Sequence, residues 1–125
     1  MAGLTPRIRL LIIDDSPDFQ LLIKTFLQDT NFSCISARDA FQATGIAVRE
    51  KPHVILLDIG LPGGDGLMLL ERLRLNAHTK TIPIIIATGK PTPSLEAKVR
   101  AKGANAYLQK PIDKHKLLET LEEVL

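Results

Sequence analysis

Tryptophan is absent, and aromatic residues make up only 4% of the 125 positions. This argues against function through ring platforms that stack bases or sugars. A single cysteine, Cys34, excludes an intramolecular disulfide framework and any multi-thiolate metal site within the chain. No charge of one sign dominates: 16 Lys and Arg against 14 Asp and Glu leave a net charge of +2. That is too near neutral for a surface that coats nucleic acid. Long apolar runs are missing too, the longest falling far below the ~20 residues of a membrane helix. The opening MAGLTPRIRLLII sets basic residues before a short apolar run. Asp14-Asp15 follows at once, where a signal peptide needs a small-residue cleavage site. No repeat, low-complexity tract or Gly/Ser-rich linker divides the chain. These absences lead to the expectation of a cytoplasmic domain that meets neither membrane nor nucleic acid directly.

What is present is a core-forming composition, 45% apolar, at a length where roughly 100–200 residues make one domain. One domain over 1–125 is expected, with residues 1–7 as a flexible lead-in. Ile8–Ile13 is a strand-length run stopped by Asp14-Asp15, and Ser16-Pro17 reads as N-cap and first helical position. Phe19, Leu22, Ile23, Phe26 and Leu27 then form one helical stripe. Phe32–Ser36 reads as a second strand, and Asp39 with Gln42 as a capping pair opening a helix that Pro52 ends. Val54–Leu57 and Pro83–Ala87 are continuous apolar runs, suited to strands buried on both faces. A Gly/Pro loop from Gly60 to Gly66 separates the first of them from a helix carrying Leu67, Leu70 and Leu73. Past Pro91 and Pro93, Leu95 and Val99 mark a helix ended by Gly103. Ala104–Leu108 is the fifth strand, and Asp113 caps a last helix whose stripe is Leu117, Leu118, Leu121, Val124 and Leu125.

Strands alternating with helices predict an α/β fold on a parallel sheet, doubly wound, with the flavodoxin-like order 2-1-3-4-5. Ligands of such sheets bind beyond the carboxyl ends of the strands. The residues there are Asp14, Asp15, Asp58, Thr88 and Lys110. At a strand spacing of ~4.8 Å, Lys110 starts roughly 10 Å from Asp58, within reach of a lysine side chain. Three carboxylates so close cannot all ionise cheaply without a cation. An acidic, oxygen-rich cleft without His or Cys suits Mg²⁺. A carboxylate beside that ion can attack phosphorus to give an aspartyl phosphate, with Lys110 and Thr88 neutralising and hydrogen-bonding the phosphoryl oxygens.

The segments LLIIDDSP, LLDIGLPGGDG, IIIATG and GANAYLQKP, in this order and spacing, resemble the CheY-like receiver domain of two-component response regulators. The resemblance covers essentially the whole chain. It implies a domain that catalyses its own Mg²⁺-dependent phosphorylation and dephosphorylation and acts on no external substrate. By the same resemblance Asp58 is the phosphoacceptor and itself part of the metal site, Asp15 a direct Mg²⁺ ligand, Asp14 its water-mediated neighbour and Gly60 the donor of a backbone carbonyl to the metal. Thr88 matches the hydroxyl that contacts the phosphoryl group, Lys110 the lysine before a cis-proline (here Pro111), and Tyr107 the aromatic whose rotation reports phosphorylation. The implied partners are a histidine kinase or histidine phosphotransfer protein and an output protein or fused domain met through the fourth helix, fifth strand and fifth helix. The implied state is a monomer or a phosphorylation-dependent dimer. Two features depart from the family pattern. Gly60 lacks the side chain often found there, which bears on access to the phosphoryl group, and Pro91 and Pro93 stiffen a connection that normally moves.

Plainer readings stand beside these. Asp14 and Asp15 could be strand-end capping acids, Asp58 the start of a turn, Thr88 a turn hydroxyl and Tyr107 a half-buried edge residue. Cys34 reads as a small buried hydrophobe, and His53, His78 and His115 as solvated or locally satisfied. Lys98, Arg100, Lys102, Lys114 and Lys116 hint at an acidic partner or form a solvated face. Thr88-Gly89-Lys90-Pro91-Thr92 fails as a phosphate loop because Ile84 replaces its first glycine. Gly64-Asp65-Gly66 fails as a dinucleotide fingerprint at Leu69. A haloacid-dehalogenase-like phosphatase would need an acid at Gly60. The remaining alternatives are a receiver-like module that docks partners without phosphorylation and a flavin binder, the latter opposed by the scarcity of aromatics.

Overall fold

The computed structural model describes residues 7–61 and 66–125. Ten elements alternate along them: β1 Ile8–Ile13, α1 Pro17–Phe26, β2 Phe32–Ala37, α2 Ala40–Glu50, β3 Val54–Asp58, α3 Gly66–Leu75, β4 Ile84–Thr88, α4 Pro93–Ala101, β5 Ala106–Gln109 and α5 Lys114–Val124. The expected lead-in falls, as far as Pro6, outside the described residues, as do positions 62–65 of the Gly/Pro loop. All neighbouring strands pair in parallel, in the order β2-β1-β3-β4-β5. This is the doubly wound order expected from the sequence.

The helices begin where side-chain oxygens satisfy free amides. Ser16 Oγ accepts from the Phe19 amide at 3.1 Å, Asp39 from Gln42 at 2.8 Å, and Asp113 from Lys116 at 2.9 Å. Thr92-Pro93 repeats the Ser16-Pro17 pattern, with Thr92 Oγ1 accepting from Leu95 at 3.0 Å. The three central strands are apolar on both faces because both faces are covered. Leu11, Ile13, Ile55, Leu57, Ile84 and Ile86 pack on Ala43 and Ala47 of α2, Leu69, Leu70 and Leu73 of α3, and Val99 of α4. Leu10, Ile12, Leu56 and Ile85 meet Phe19 and Ile23 of α1 with Leu117 and Leu121 of α5. Among the described residues, no helix is long and apolar enough to cross a membrane.

The structure shifts several details. Leu22 and Leu125 stand exposed rather than in their stripes, and Leu69 replaces Leu67 as the fully buried residue of α3. The fifth strand starts at Ala106 rather than Ala104. Ala104 is still tied to the end of α4 through its amide on the Val99 carbonyl, behind Gly103 at φ +105°. Asn105 then bridges inward, its Oδ1 accepting from the Ile84 amide and from Arg74 Nη2, both at 2.9 Å. Arg74 also donates to the carbonyls of Gly103 at 2.9 Å and Ile82 at 2.8 Å. One guanidinium thus ties the end of α3 to the connections that lead into β4 and β5.

Candidate functional site at the carboxyl rim of the sheet

Register brings the acids together. Ile13 lies opposite Leu57, so Asp14 and Asp58 leave neighbouring strands at the same level. Asp14 is 1% exposed. Its Oδ1 accepts from the Ser16 amide at 2.9 Å and its Oδ2 from Lys110 Nζ at 2.7 Å. Lys110 Nζ also stands 3.6 Å from Asp58 Oδ1, which accepts from the Gly60 amide at 3.0 Å. Lys110 thus meets acids that leave strands two and three spacings away, pairing most closely with Asp14 and then with Asp58. Its path is fixed from both sides. The Lys110 amide donates to the Thr88 carbonyl at 2.7 Å, the peptide to Pro111 is cis, and Nζ sits 4.3 Å from the centroid of the Phe19 ring.

Burial pushes the Asp58 carboxyl above its ordinary value, and the Asp14 and Asp15 charges push the same way. The Gly60 amide and the Lys110 ammonium oppose them without cancelling the rise. One lysine therefore compensates only part of the acidic cluster. Asp14, Asp15 and Asp58 each offer one oxygen, and these oxygens lie within 4.8 Å of one another. An all-oxygen set without His or Cys fits a hard divalent ion such as Mg²⁺, which keeps several waters beside one or two carboxylates.

Around this centre, Thr88 ends β4 almost fully buried, one residue beyond the register partner of Asp58, and its Oγ1 accepts from the Lys90 amide at 3.1 Å. Gly60 is exposed, and a Cβ there would meet Asp58 Oδ1 at an ordinary 3.5 Å. Gly66 has no such freedom: a Cβ would lie 2.6 Å from Ile59 Cα. Tyr107 sits apart on β5, its hydroxyl buried with no hydrogen-bond partner among the described residues. His53 is remote from the acids, its Nδ1 accepting the Arg9 amide at 3.0 Å. A cleft of about 640 Å³ between Arg7, Lys24 and Cys34 lies at the opposite end of the sheet. Sequence reasoning missed three contributors: Ser16 as amide donor to Asp14, Phe19 beneath the ammonium, and Gln20. The signal for Gln20 was a polar residue at the apolar spacing, three before Ile23 and seven before Leu27.

The family model for the response regulator receiver domain matches residues 10–122. Protein PilH of Pseudomonas aeruginosa is 35% identical over 117 residues, covering 94% of this chain and 97% of its own length. The fold superposes on chemotaxis protein CheY4 of Vibrio cholerae with a TM-score of 0.89 at 28% identity, over 95% of this chain and 99% of that one. The receiver domain of sensor histidine kinase PA1611 from Pseudomonas aeruginosa, solved with a magnesium ion coordinated in its active-site cleft, matches with a TM-score of 0.85 at 26% identity. That match covers 94% of this chain and 97% of the PA1611 domain. With this fold, these acids at its rim and a family match over most of its length, the chain belongs to the receiver domains of two-component response regulators.

Proposed function

We propose that the chain is one receiver unit that works as a phosphoacceptor switch, with Asp58 as the nucleophile. The observation that carries this reading is the convergence of Asp14, Asp15 and Asp58 with Lys110 at one rim. An Asp58 carboxylate oxygen attacks phosphorus of a phosphohistidine in a histidine kinase or histidine phosphotransfer protein. The new P–O bond forms as the P–N bond breaks, and the imidazole nitrogen leaves with the bond pair and takes a proton. Asp15 is exposed and suits direct contact with Mg²⁺. Both oxygens of Asp14 are already engaged, so it suits contact through water, and Asp58 and the Gly60 carbonyl would complete the protein ligands. When bound, Mg²⁺ supplies positive charge against the phosphoryl oxygens. Lys110 adds its ammonium, and Thr88 turns its hydroxyl from the Lys90 amide towards a phosphoryl oxygen.

The readout is a shift between two states of the α4-β5-α5 face. The unpartnered Tyr107 hydroxyl supports this, because a buried orphan of that kind costs about 1–3 kcal/mol and favours a rearrangement that pairs or exposes it. An output partner or fused domain meets this face, in the cytoplasm, with the chain monomeric or dimerising on phosphorylation. The test is incubation with a small phosphodonor and Mg²⁺, followed by mass spectrometry. One phosphoryl adduct is expected on the wild type and none on Asp58→Ala; an adduct that survives the substitution defeats the reading.

A further inference from the structure

Gln20 is a buried polar side chain on the core-facing side of α1, 6% exposed, in a position where an apolar residue would pack. Its Nε2 shares two N–H groups among three main-chain carbonyls, Ile12 at 2.9 Å, Asp14 at 3.2 Å and Ala37 at 3.2 Å. Its Oε1 accepts from the Ser36 hydroxyl at 2.8 Å, which fixes the amide with its donors towards those carbonyls. The three carbonyls lie at the carboxyl ends of β1 and β2, where strand pairing ends and the chain turns into the site.

The peptide units on both sides of Asp14 are thereby held. Its amide donates to the Ala37 carbonyl at 3.0 Å, and its own carbonyl, in the peptide that leads to Asp15, is held by Gln20. Asp15 is exposed, so the path of its main chain decides where its carboxylate stands. The Gln20 amide in turn donates to the Ser16 carbonyl at 3.1 Å, closing the first turn of α1 around the same connection. We propose that Gln20 is the positioning residue of the Asp14-Asp15 pair, holding the backbone that presents both carboxylates to a divalent cation. The proposal rests on the reading of these acids as the Mg²⁺ site. Gln20 itself touches neither the ion nor the phosphoryl group.

The experiment compares wild type, Gln20→Met, Ser36→Ala and Thr79→Val. Each is examined by Mg²⁺ titration followed through backbone amide NMR shifts, and by amide hydrogen exchange without metal. Gln20→Met keeps the volume and removes the donors; roughly 10-fold weaker Mg²⁺ binding is expected, the lower end for a partner of a metal ligand. Faster exchange of the Asp15 and Ser16 amides is expected in the same variant. Ser36→Ala leaves the carboxamide but frees it to turn, and shifts both readouts less, in the same direction. Thr79 is a buried hydroxyl on the Leu73 carbonyl, remote from the acids. Its valine variant is expected to lose stability with Mg²⁺ affinity unchanged, the behaviour of a purely structural residue. Gln20→Met binding Mg²⁺ within about twofold of wild type, with unchanged exchange, overturns the proposal. If that variant does not fold, unchanged affinity and exchange in Ser36→Ala overturn it instead. If wild type binds no Mg²⁺, the functional reading fails, and exchange in the metal-free variants still decides the role of Gln20.

Discussion

Asp58 must be ionised to act as a nucleophile, at a place where burial and two neighbouring acids oppose ionisation. Its folded-state pKa lies above the unfolded value, so the charged carboxylate costs stability at every pH above the folded pKa. The cost fades as pH falls through that pKa towards the unfolded one, where both states carry the proton. Asp58→Asn is therefore expected to raise the melting temperature by a few degrees near neutral pH. The gain should shrink steadily on acidification, and thermal unfolding across a pH series checks both. Lys110 is the opposite case. It is the cation beside a carboxylate that is 1% exposed, and Lys110→Met leaves that charge uncompensated. A loss of about 2 kcal/mol is expected in urea unfolding, below the usual cost of breaking a fully buried pair because the ammonium is partly solvated. Added Mg²⁺ should recover part of it. At this scale Asp14, Asp15, Asp58 and Lys110 were legible because their place past strand ends is a matter of chain order. Phe19 was read only as core, since an aromatic on an apolar stripe gives no sign of the ammonium that β5 delivers above it.

Among the elements, β3 and α3 meet at Gly66, where a methyl group would press on the backbone of Ile59 and Asp58. Gly66→Ala is expected to cost about 2 kcal/mol, as overpacking against rigid main chain does. It should also slow phosphorylation, because the displaced backbone carries Asp58; urea unfolding and phosphodonor kinetics measure the two effects. The clamp at Arg74 belongs to the far end of the sheet. Arg74→Met leaves the Gly103 and Ile82 carbonyls without this donor and Asn105 Oδ1 with the Ile84 amide alone, for a loss of about 2–3 kcal/mol and little change in phosphorylation. Helix starts were largely readable because Ser16-Pro17, Asp39 and Asp113 carry their capping chemistry within three residues. Thr92-Pro93 carried the same signal and was passed over inside a proline-rich loop. The start of β5 was misjudged because the amides of Ala104 and Asn105 look apolar or neutral in sequence but bond to α4 and β4 respectively. Such a boundary is set by tertiary partners.

Over the whole molecule, topology does what no local motif does, bringing residues 14, 58 and 110 to one rim from three separate strands. A doubly wound sheet followed from alternating elements and right-handed crossovers; the order 2-1-3-4-5 was assumed within that class, and the meeting of the acids depended on it. The hierarchy within the site did not follow, because which acid takes the ammonium depends on which is buried. The basic surface near α4 and α5 also reads differently in three dimensions. Arg100 pairs with Glu96 at 3.0 Å and Lys102 pairs with Glu71, while Lys98, Lys114 and Lys116 stand exposed beside them. The central claim is that the rim chemistry converges on one carboxylate. Its most direct measurement treats the protein with a small phosphodonor, with and without Mg²⁺, then reduces the acyl phosphate with borohydride and maps the product by peptide mass spectrometry. Homoserine at position 58, formed only when Mg²⁺ is present, is the predicted result. Label on His53, His78 or His115, or modification at another acid that is indifferent to Mg²⁺, would contradict the account.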